Sequence, residues 1–465
     1  MKTQIVFMEQ DFEDVRRHLL AGPDEAAALL ICGYALTGSR ARMLVRETLP
    51  VPAEGIESKG GAFITVRPEW LAVPLKQARE AGLTIVLTHS HPFSRSAVRF
   101  SSIDVAGQAT LVPKVQARLP SRPVAELVFG QDSINGLFWL PGAREPLPLE
   151  EVAVVGSRLD IRPCSNVSPM THFPTEAMYD RQVLVWGPEG QACLKALRVG
   201  VVGVGGNGSW VAGQLIHLGV GELVVIDDDV IEESNRARVV GSEPADVAAA
   251  TPKVDVAARY AARHNPHCRV IPIQESVDSD GAIQALLECD LIIGCTDTLA
   301  SRVIPNQLAV QYFIPFLDTG VEIEVVGGCL RSIAARCTLV RPGSRCLVCM
   351  GYVSDEAVGR ELGVASRPGY LEAVRAPSVG PLNALAASMA GTDFLRFVHG
   401  LLGGVPTDSF YAYAGRSGEI RRCGIGSKAC SLCSHRLGFG QAAELELPSI
   451  APTLPDSILP ASAES

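Results

Sequence analysis

The chain has 465 residues, of which 47% are apolar and 20% charged, enough to build two or three domains with cores of their own. A net charge of −9 without any basic block argues against a nucleic-acid partner, and no apolar run reaches the roughly 18 residues that a membrane helix needs. The acidic opening "MKTQIVFMEQDFED" is not a secretory signal, so a cytoplasmic location is expected, with the thirteen cysteines reduced.

In chain order, residues 1–150 mix short β-type runs, "AALLICGYAL" and "LTIVLTHSH", with a helical stretch, "RPEWLAVPLKQAREAG", and predict a mixed α/β domain. Residues 151–175, which contain the Pro, Ser and Thr cluster "RPCSNVSPMTHFPTE", read as a linker. From 176 to 440 strands alternate with helices. "LRVGVVGVGGNG" is a buried strand ending in glycines, and "SWVAGQLIHLGVG" is a helix with Val211, Leu215 and Leu218 on one face. "ELVVIDDD", "RVIPIQ" and "DLIIGCTD" are further strands, which together predict a doubly wound parallel sheet. The tail 441–465, with four prolines, reads as disordered or loosely docked.

Three groups of residues carry chemistry. The first is "THSHPFSRSAVRFSSID". His89 and His91, at i and i+2 on a strand end, point to one side and can share an ion. Asp104 can supply a third ligand, which leaves the fourth position of a catalytic zinc open for water. The bland alternative is two surface or capping histidines in a serine-rich loop.

"HSHP" followed by "SSID" resembles the JAMM (JAB/MPN) metalloprotease motif, whose members cleave peptide or isopeptide bonds after ubiquitin-like proteins. The resemblance implies zinc ligation by His89, His91 and Asp104. It also implies Glu25, ahead of "AAALLICG", as general base, and Ser101 as support for the tetrahedral oxyanion. Twelve residues stand between His91 and Asp104, two more than the family pattern carries, and the loop is expected to absorb them.

The second group is the glycine turn of Gly203, Gly205, Gly206 and Gly208 between a strand and a helix. Such a turn lets a phosphate approach the backbone at a helix N-terminus, and Asp227 ends the next strand, where a carboxylate can hold ribose hydroxyls. These two features alone do not separate NAD from ATP. With "YDRQ", "DDDVIEESNRAR", "TPKVDVAARYAARHNP" and "CDLIIGCTDTLASR" added, residues 176–436 resemble the ThiF-type, ubiquitin-activating-enzyme-like adenylyltransferases. The resemblance implies a Rossmann-like domain in which Asp227 and Asp229 serve the ribose end and Asn235, Arg238 and Lys253 serve the phosphates of ATP. Asp297 would hold Mg²⁺, and Arg181 would reach into the site of a neighbouring subunit, making the protein a homodimer. Arg236 and Val239 are local departures from the family pattern.

The third group is two CxxC pairs, Cys346 with Cys349 and Cys430 with Cys433, separated by 80 residues. Four thiolates from two turns close a tetrahedral structural zinc site. A redox role would need only one pair. From Met350 to Arg422 there is no cysteine, so a thioester on the usual crossover stretch is excluded; Cys329, Cys337 and Cys423 remain as weak candidates.

The combined expectation is a bifunctional enzyme that adenylates the C-terminus of a small β-grasp ubiquitin-like protein and cleaves after it, in a bacterial ubiquitin-like pathway. The activated tail would pass to a conjugating enzyme or a sulfur donor. Two alternatives stand beside it: processing and activation of a sulfur carrier for biosynthesis, and a non-catalytic docking role for the N-terminal domain.

Overall fold

A computed structural model describes residues 1–60, 63–165, 176–361, 377–406, 409–424 and 430–445. The first half contains β1 Lys2–Met8, α1 Glu9–Leu19, β2 Ala27–Leu36, β3 Arg40–Pro50, β4 Ile56–Gly60, β5 Phe63–Val66, α2 Pro68–Glu80, β6 Thr84–Ser90, α3 Ser102–Arg118, β7 Val124–Phe129, β8 Ile134–Trp139, β9 Leu147–Pro148, β10 Glu151–Val155 and β11 Leu159–Pro163. After it come α4 Asp180–Ala196, β12 Arg198–Val202, α5 Gly206–Leu218, β13 Glu222–Ile226, α6 Pro244–Ala249, α7 Lys253–His264, β14 Arg269–Ile273, α8 Asp280–Leu287, β15 Leu291–Gly294, α9 Ala300–Gln311, β16 Phe316–Val326, β17 Cys329–Val340, α10 Asp355–Glu361, α11 Gly380–His399, β18 Ser409–Ala414, β19 Glu419–Gly424 and α12 Ser431–His435.

The unbroken apolar run of β2 reflects burial on both faces. It lies at the middle of a nine-stranded sheet ordered β11-β10-β1-β3-β2-β6-β7-β8-β9. Ala28, Leu30 and Cys32 pack with Phe12, Val15 and Leu19 of α1 on one face. Leu29 and Ile31 pack with Leu71 and Leu75 of α2 and Val115 of α3 on the other. The second sheet is ordered β14-β13-β12-β15-β16-β17-β18-β19; its strands run parallel from β14 to β16 and antiparallel beyond.

Two boundaries differ from the sequence reading. The linker placed over 151–175 is strand in its first part. β10 pairs with β1, β11 pairs with β10, and both complete the first sheet. Residues 166–175 lie outside the described residues. The tail placed over 441–465 is docked where it begins, because Gln441 N donates to Tyr34 O at 2.7 Å and its side chain exchanges hydrogen bonds with the Leu36 backbone. Residues 446–465 lie outside the described residues.

The halves share a core. Val6, Leu44, Ala153 and Val155 of the first sheet cluster with Leu197, Val199, Leu317 and Phe397 of the second half. Beside this apolar seam, Arg40 holds Asp290 with two hydrogen bonds (2.5 and 3.2 Å), and Arg42 donates to the Leu287 and Cys289 carbonyls. Among the described residues, no helix is long and apolar enough to cross a membrane.

Candidate functional site

β2 and β6 run antiparallel with Ala27 opposite His89, so the turn ahead of β2 delivers Glu25 beside the histidine pair. Ser101 caps α3. Its side chain accepts from Asp104 N, and the Asp104 carboxylate accepts from Ser101 N at 2.6 Å, which fixes the carboxylate at the mouth of the helix. Loop 92–100 leans on the β7–β8 turn. Ser94 O accepts from Gln131 N, Ser133 Oγ donates to Ser96 O, and Asn135 Nδ2 donates to the carbonyl of buried Val98.

His89 Nε2 then lies 3.4 Å and His91 Nε2 3.3 Å from oxygens of Asp104, and Glu25 Oε1 lies 3.5 Å from His91 Nε2. A tetrahedral zinc with ligands at about 2.0–2.1 Å sets its ligand atoms about 3.3–3.4 Å apart. His89 Nε2, His91 Nε2 and both oxygens of Glu25 are buried without a hydrogen-bond partner, an expensive arrangement unless a ligand satisfies them. The residues present therefore fit the ion. Burial pushes Glu25 up to about 7, with Asp104 adding to the rise and His91 opposing it. Burial also works against the charge of Asp104, but the neighbouring His89 and His91 imidazoles outweigh it and hold that carboxyl well below its usual range. Sequence reasoning missed Glu126 on β7, whose Oε1 lies 3.8 Å from His89 Nδ1; a glutamate inside "VAELVF" gives no signal of this kind.

The glycine turn sits between β12 and α5, with β13 and β15 flanking β12 on opposite sides. This is the topological switch point of an open α/β sheet, where ligands bind beyond the carboxyl ends of the strands. Gly203 has φ +81°, and a side chain on Gly208 would collide with the Gly203 carbonyl. Asp227 accepts from Val204 N (2.8 Å) and from Asp229 N (3.0 Å). Buried Lys253 reaches Asp229 at 2.5 Å and Asp227 at 3.5 Å.

Asn235 is buried and closes its own turn by accepting from Glu232 N. Arg238 packs against Gly206 and donates to Ser234 O. Asp297 stands exposed on the loop after β15, across the switch point. Arg181, exposed in the first turn of α4, makes no hydrogen bond or ion pair with any of these residues. Of the two departures, Arg236 pairs with Glu233 in solvent and Val239 packs into a small core with Ile231 and Val256. Sequence reasoning passed over two buried asparagines beside the turn: Asn207, whose Oδ1 lacks a partner, and Asn383, which faces Gly206.

The four cysteines converge. Cys346 Sγ lies 3.8 Å from Cys349 Sγ and 3.6 Å from Cys430 Sγ, and Cys349 Sγ lies 3.6 Å from Cys433 Sγ. Four thiolates at about 2.3 Å from a tetrahedral zinc stand about 3.8 Å apart, so this set fits a metal too. All four ligand atoms lie within 4.8 Å of one another.

Among known proteins, the SAMP-activating enzyme E1 of Haloferax volcanii is 33% identical over 207 residues, covering 43% of this chain and 72% of that relative. The molybdopterin-synthase adenylyltransferase of Escherichia coli is 29% identical over 226 residues, covering 48% and 82%. The sulfur carrier protein ThiS adenylyltransferase of Bacillus subtilis is 30% identical over 174 residues, covering 37% and 49%. Among solved structures, Escherichia coli MccB with ATP overlaps 56% of this chain and 74% of its own, at 22% identity and a TM-score of 0.46. The ThiF family matches residues 179–435, the span that holds the glycine turn, Asp227, Lys253, Asp297 and the four cysteines, and the chain belongs to that family.

Proposed function

We propose that the chain uses ATP to adenylate the C-terminal carboxylate of a small β-grasp ubiquitin-like protein, and that its N-terminal half is a zinc-dependent peptidase acting after the same tail, in a bacterial ubiquitin-like conjugation pathway. The observation that carries the reading is the charged cluster at the switch point. An anion-ready glycine turn meets Asp227, Asp229 and the buried cation Lys253. The relatives' names, one of them specifying a sulfur carrier protein, support the substrate class.

Asp227 and Asp229 would hold the ribose, and Lys253, Arg238 and Asn235 would serve the phosphates. Asp297 is exposed and free to hold Mg²⁺, which would neutralise phosphate charge when bound. The carrier's carboxylate attacks the α-phosphorus, the bond to the β-phosphate oxygen breaks, and pyrophosphate leaves with the electron pair. Positioning and cationic stabilisation suffice for this step. Arg181, exposed on α4, suits a role across a dimer interface.

The adenylate then passes to an external nucleophile, a conjugating-enzyme cysteine or a sulfur donor. Cys337 is fully buried, and burial pushes its thiol up. Cys329 is exposed at the far end of the β16–β17 hairpin, about 25 Å of strand beyond the crevice. The side chain of Cys423 lies outside the described residues.

At the N-terminal site a zinc ion, when bound, supplies an acidified water and a polarised carbonyl. Glu25, beside His91, would accept a proton from that water. Ser101, whose oxygen already accepts from Asp104 N, keeps its hydroxyl proton to donate to the oxyanion.

ATP–pyrophosphate exchange with candidate small β-grasp proteins tests the first activity. Exchange that needs one carrier and is lost in Asp297→Ala is expected; no exchange with any carrier overturns it. Elemental analysis tests the second site. Two zinc ions per chain, falling to one in His91→Ala, are expected, and one ion in both proteins overturns the peptidase reading.

A further inference from the structure

The geometry points to Glu126 as a positioning residue that orients His89, backed from helix α3 by Gln108. This rests on the reading of Glu25, His89, His91 and Asp104 as a zinc site. The side chain of Glu126 is 12% exposed. It projects from β7 onto the face that Val124 shares with Leu71, Leu75 and Val115, an apolar layer under α2 and α3. Among the described residues no lysine or arginine pairs with it, and Glu126 Oε1 lies 3.8 Å from His89 Nδ1. A carboxylate there costs folding free energy that an apolar residue would not, so its presence calls for a partner.

The partners form a ring. Asp104 and Gln108 are one turn apart on α3 and share a face. Asp104 faces His89 Nε2, Glu126 faces His89 Nδ1, and the Gln108 amide approaches Glu126. Gln108 Nε2 and Glu126 Oε2 are buried and stop short of a formed hydrogen bond. The 3.8 Å gap at Nδ1 is likewise longer than a hydrogen bond, and a small rotation of the ring closes it. A histidine that donates Nδ1–H to a carboxylate presents Nε2 as its lone-pair ligand, the outer-shell arrangement that fixes tautomer and ring angle at metal sites.

The test uses the full chain and zinc alone. Zinc affinity of the weaker site is read by competition with a chromogenic chelator, and the His89 tautomer by long-range ¹H–¹⁵N NMR. Glu126→Leu is expected to weaken zinc binding about 10- to 100-fold and to lose the single Nδ1–H tautomer, while metal-free thermal stability is kept or raised. Glu126→Gln keeps a carbonyl acceptor and is expected to recover most of the affinity. Wild-type affinity and an unchanged tautomer in Glu126→Leu overturn the inference. Loss of affinity in both variants together with a lowered metal-free melting temperature overturns it too, in favour of a purely structural role. If wild-type protein binds only the ion that survives His91→Ala, it is the underlying zinc-site reading that fails.

Discussion

Lys253 shows how one residue can be stored in one state and used in another. Without nucleotide its ammonium rests between Asp229 and Asp227. Burial works to lower its pKa, but the two carboxylates more than offset that and raise it. The group is therefore charged throughout the neutral range, and in the proposed reaction phosphates arriving at the glycine turn would compete with two aspartates for it. Asp227 meanwhile ties the turn to the end of β13 through Val204 N. Removing the cation should remove its stabilisation of the leaving pyrophosphate and leave Asp227 buried with only its two backbone hydrogen bonds. Lys253→Met is expected to lower kcat/KM for ATP–pyrophosphate exchange by about 10²- to 10³-fold and to lower the melting temperature as well. Equal rates in the two proteins would place the phosphates elsewhere.

At the scale of elements, the segment after α12 ties the four-cysteine site to the first sheet. Cys430 and Cys433 hold one end of it. Leu437 O then accepts from Arg46 Nε at 2.6 Å, the Arg46 guanidinium lies 3.7 Å over the Phe439 ring, and Gly440 bridges to Tyr34 of β2. Gly440 has φ +55° and sits so close to the Tyr34 carbonyl that a side chain would collide with it. The cysteine site therefore fastens a strap across two sheets. Cys433→Ser is expected to speed amide hydrogen exchange in the 437–443 strap and at the Tyr34–Leu36 end of β2, while β7 keeps its protection. Unchanged exchange at 437–443 would mean that the strap holds without the cysteine cluster.

Much of this layer was legible in the sequence. β2, β6, β12, β13 and β15 are buried runs of strand length, and the glycine turn and CxxC pairs have fixed spacings. β11, a half-polar edge strand, looked like the Pro- and Ser-rich stretch that follows it. The strap looked like loose tail, because what holds it is backbone pairing and one cation over a ring. Glu25, His89, His91 and Asp104 were legible as a set. Glu126 was not, since a strand glutamate reads as solvent-facing until the helix above it is known.

Across the whole molecule, the seam decides whether the two halves behave as separate modules. Arg40 and Arg42 of β3 line that seam. Both are buried, and both meet Asp290, itself buried at the start of β15. Burial opposes the charge of Asp290, and the arginines, led by Arg40, still bring its pKa down to about 2. Such a network adds less net stability than its geometry suggests, but breaking it from one side is costly, because the remaining charges are left buried and uncompensated. Asp290→Ala strands two guanidinium groups beside the apolar patch of Val6, Leu44 and Ala153, and should cost about 3–5 kcal/mol. If the shared core makes the halves one folding unit, calorimetry will record a single transition in wild type and in the variant, displaced downward in the variant. Two separated transitions in wild type would instead mean that each half folds alone and that the seam is only a contact. In that case, cutting the chain between the halves should leave both proposed activities intact, whereas a single shared transition predicts that a fragment of residues 1–165 exposes its seam face and aggregates.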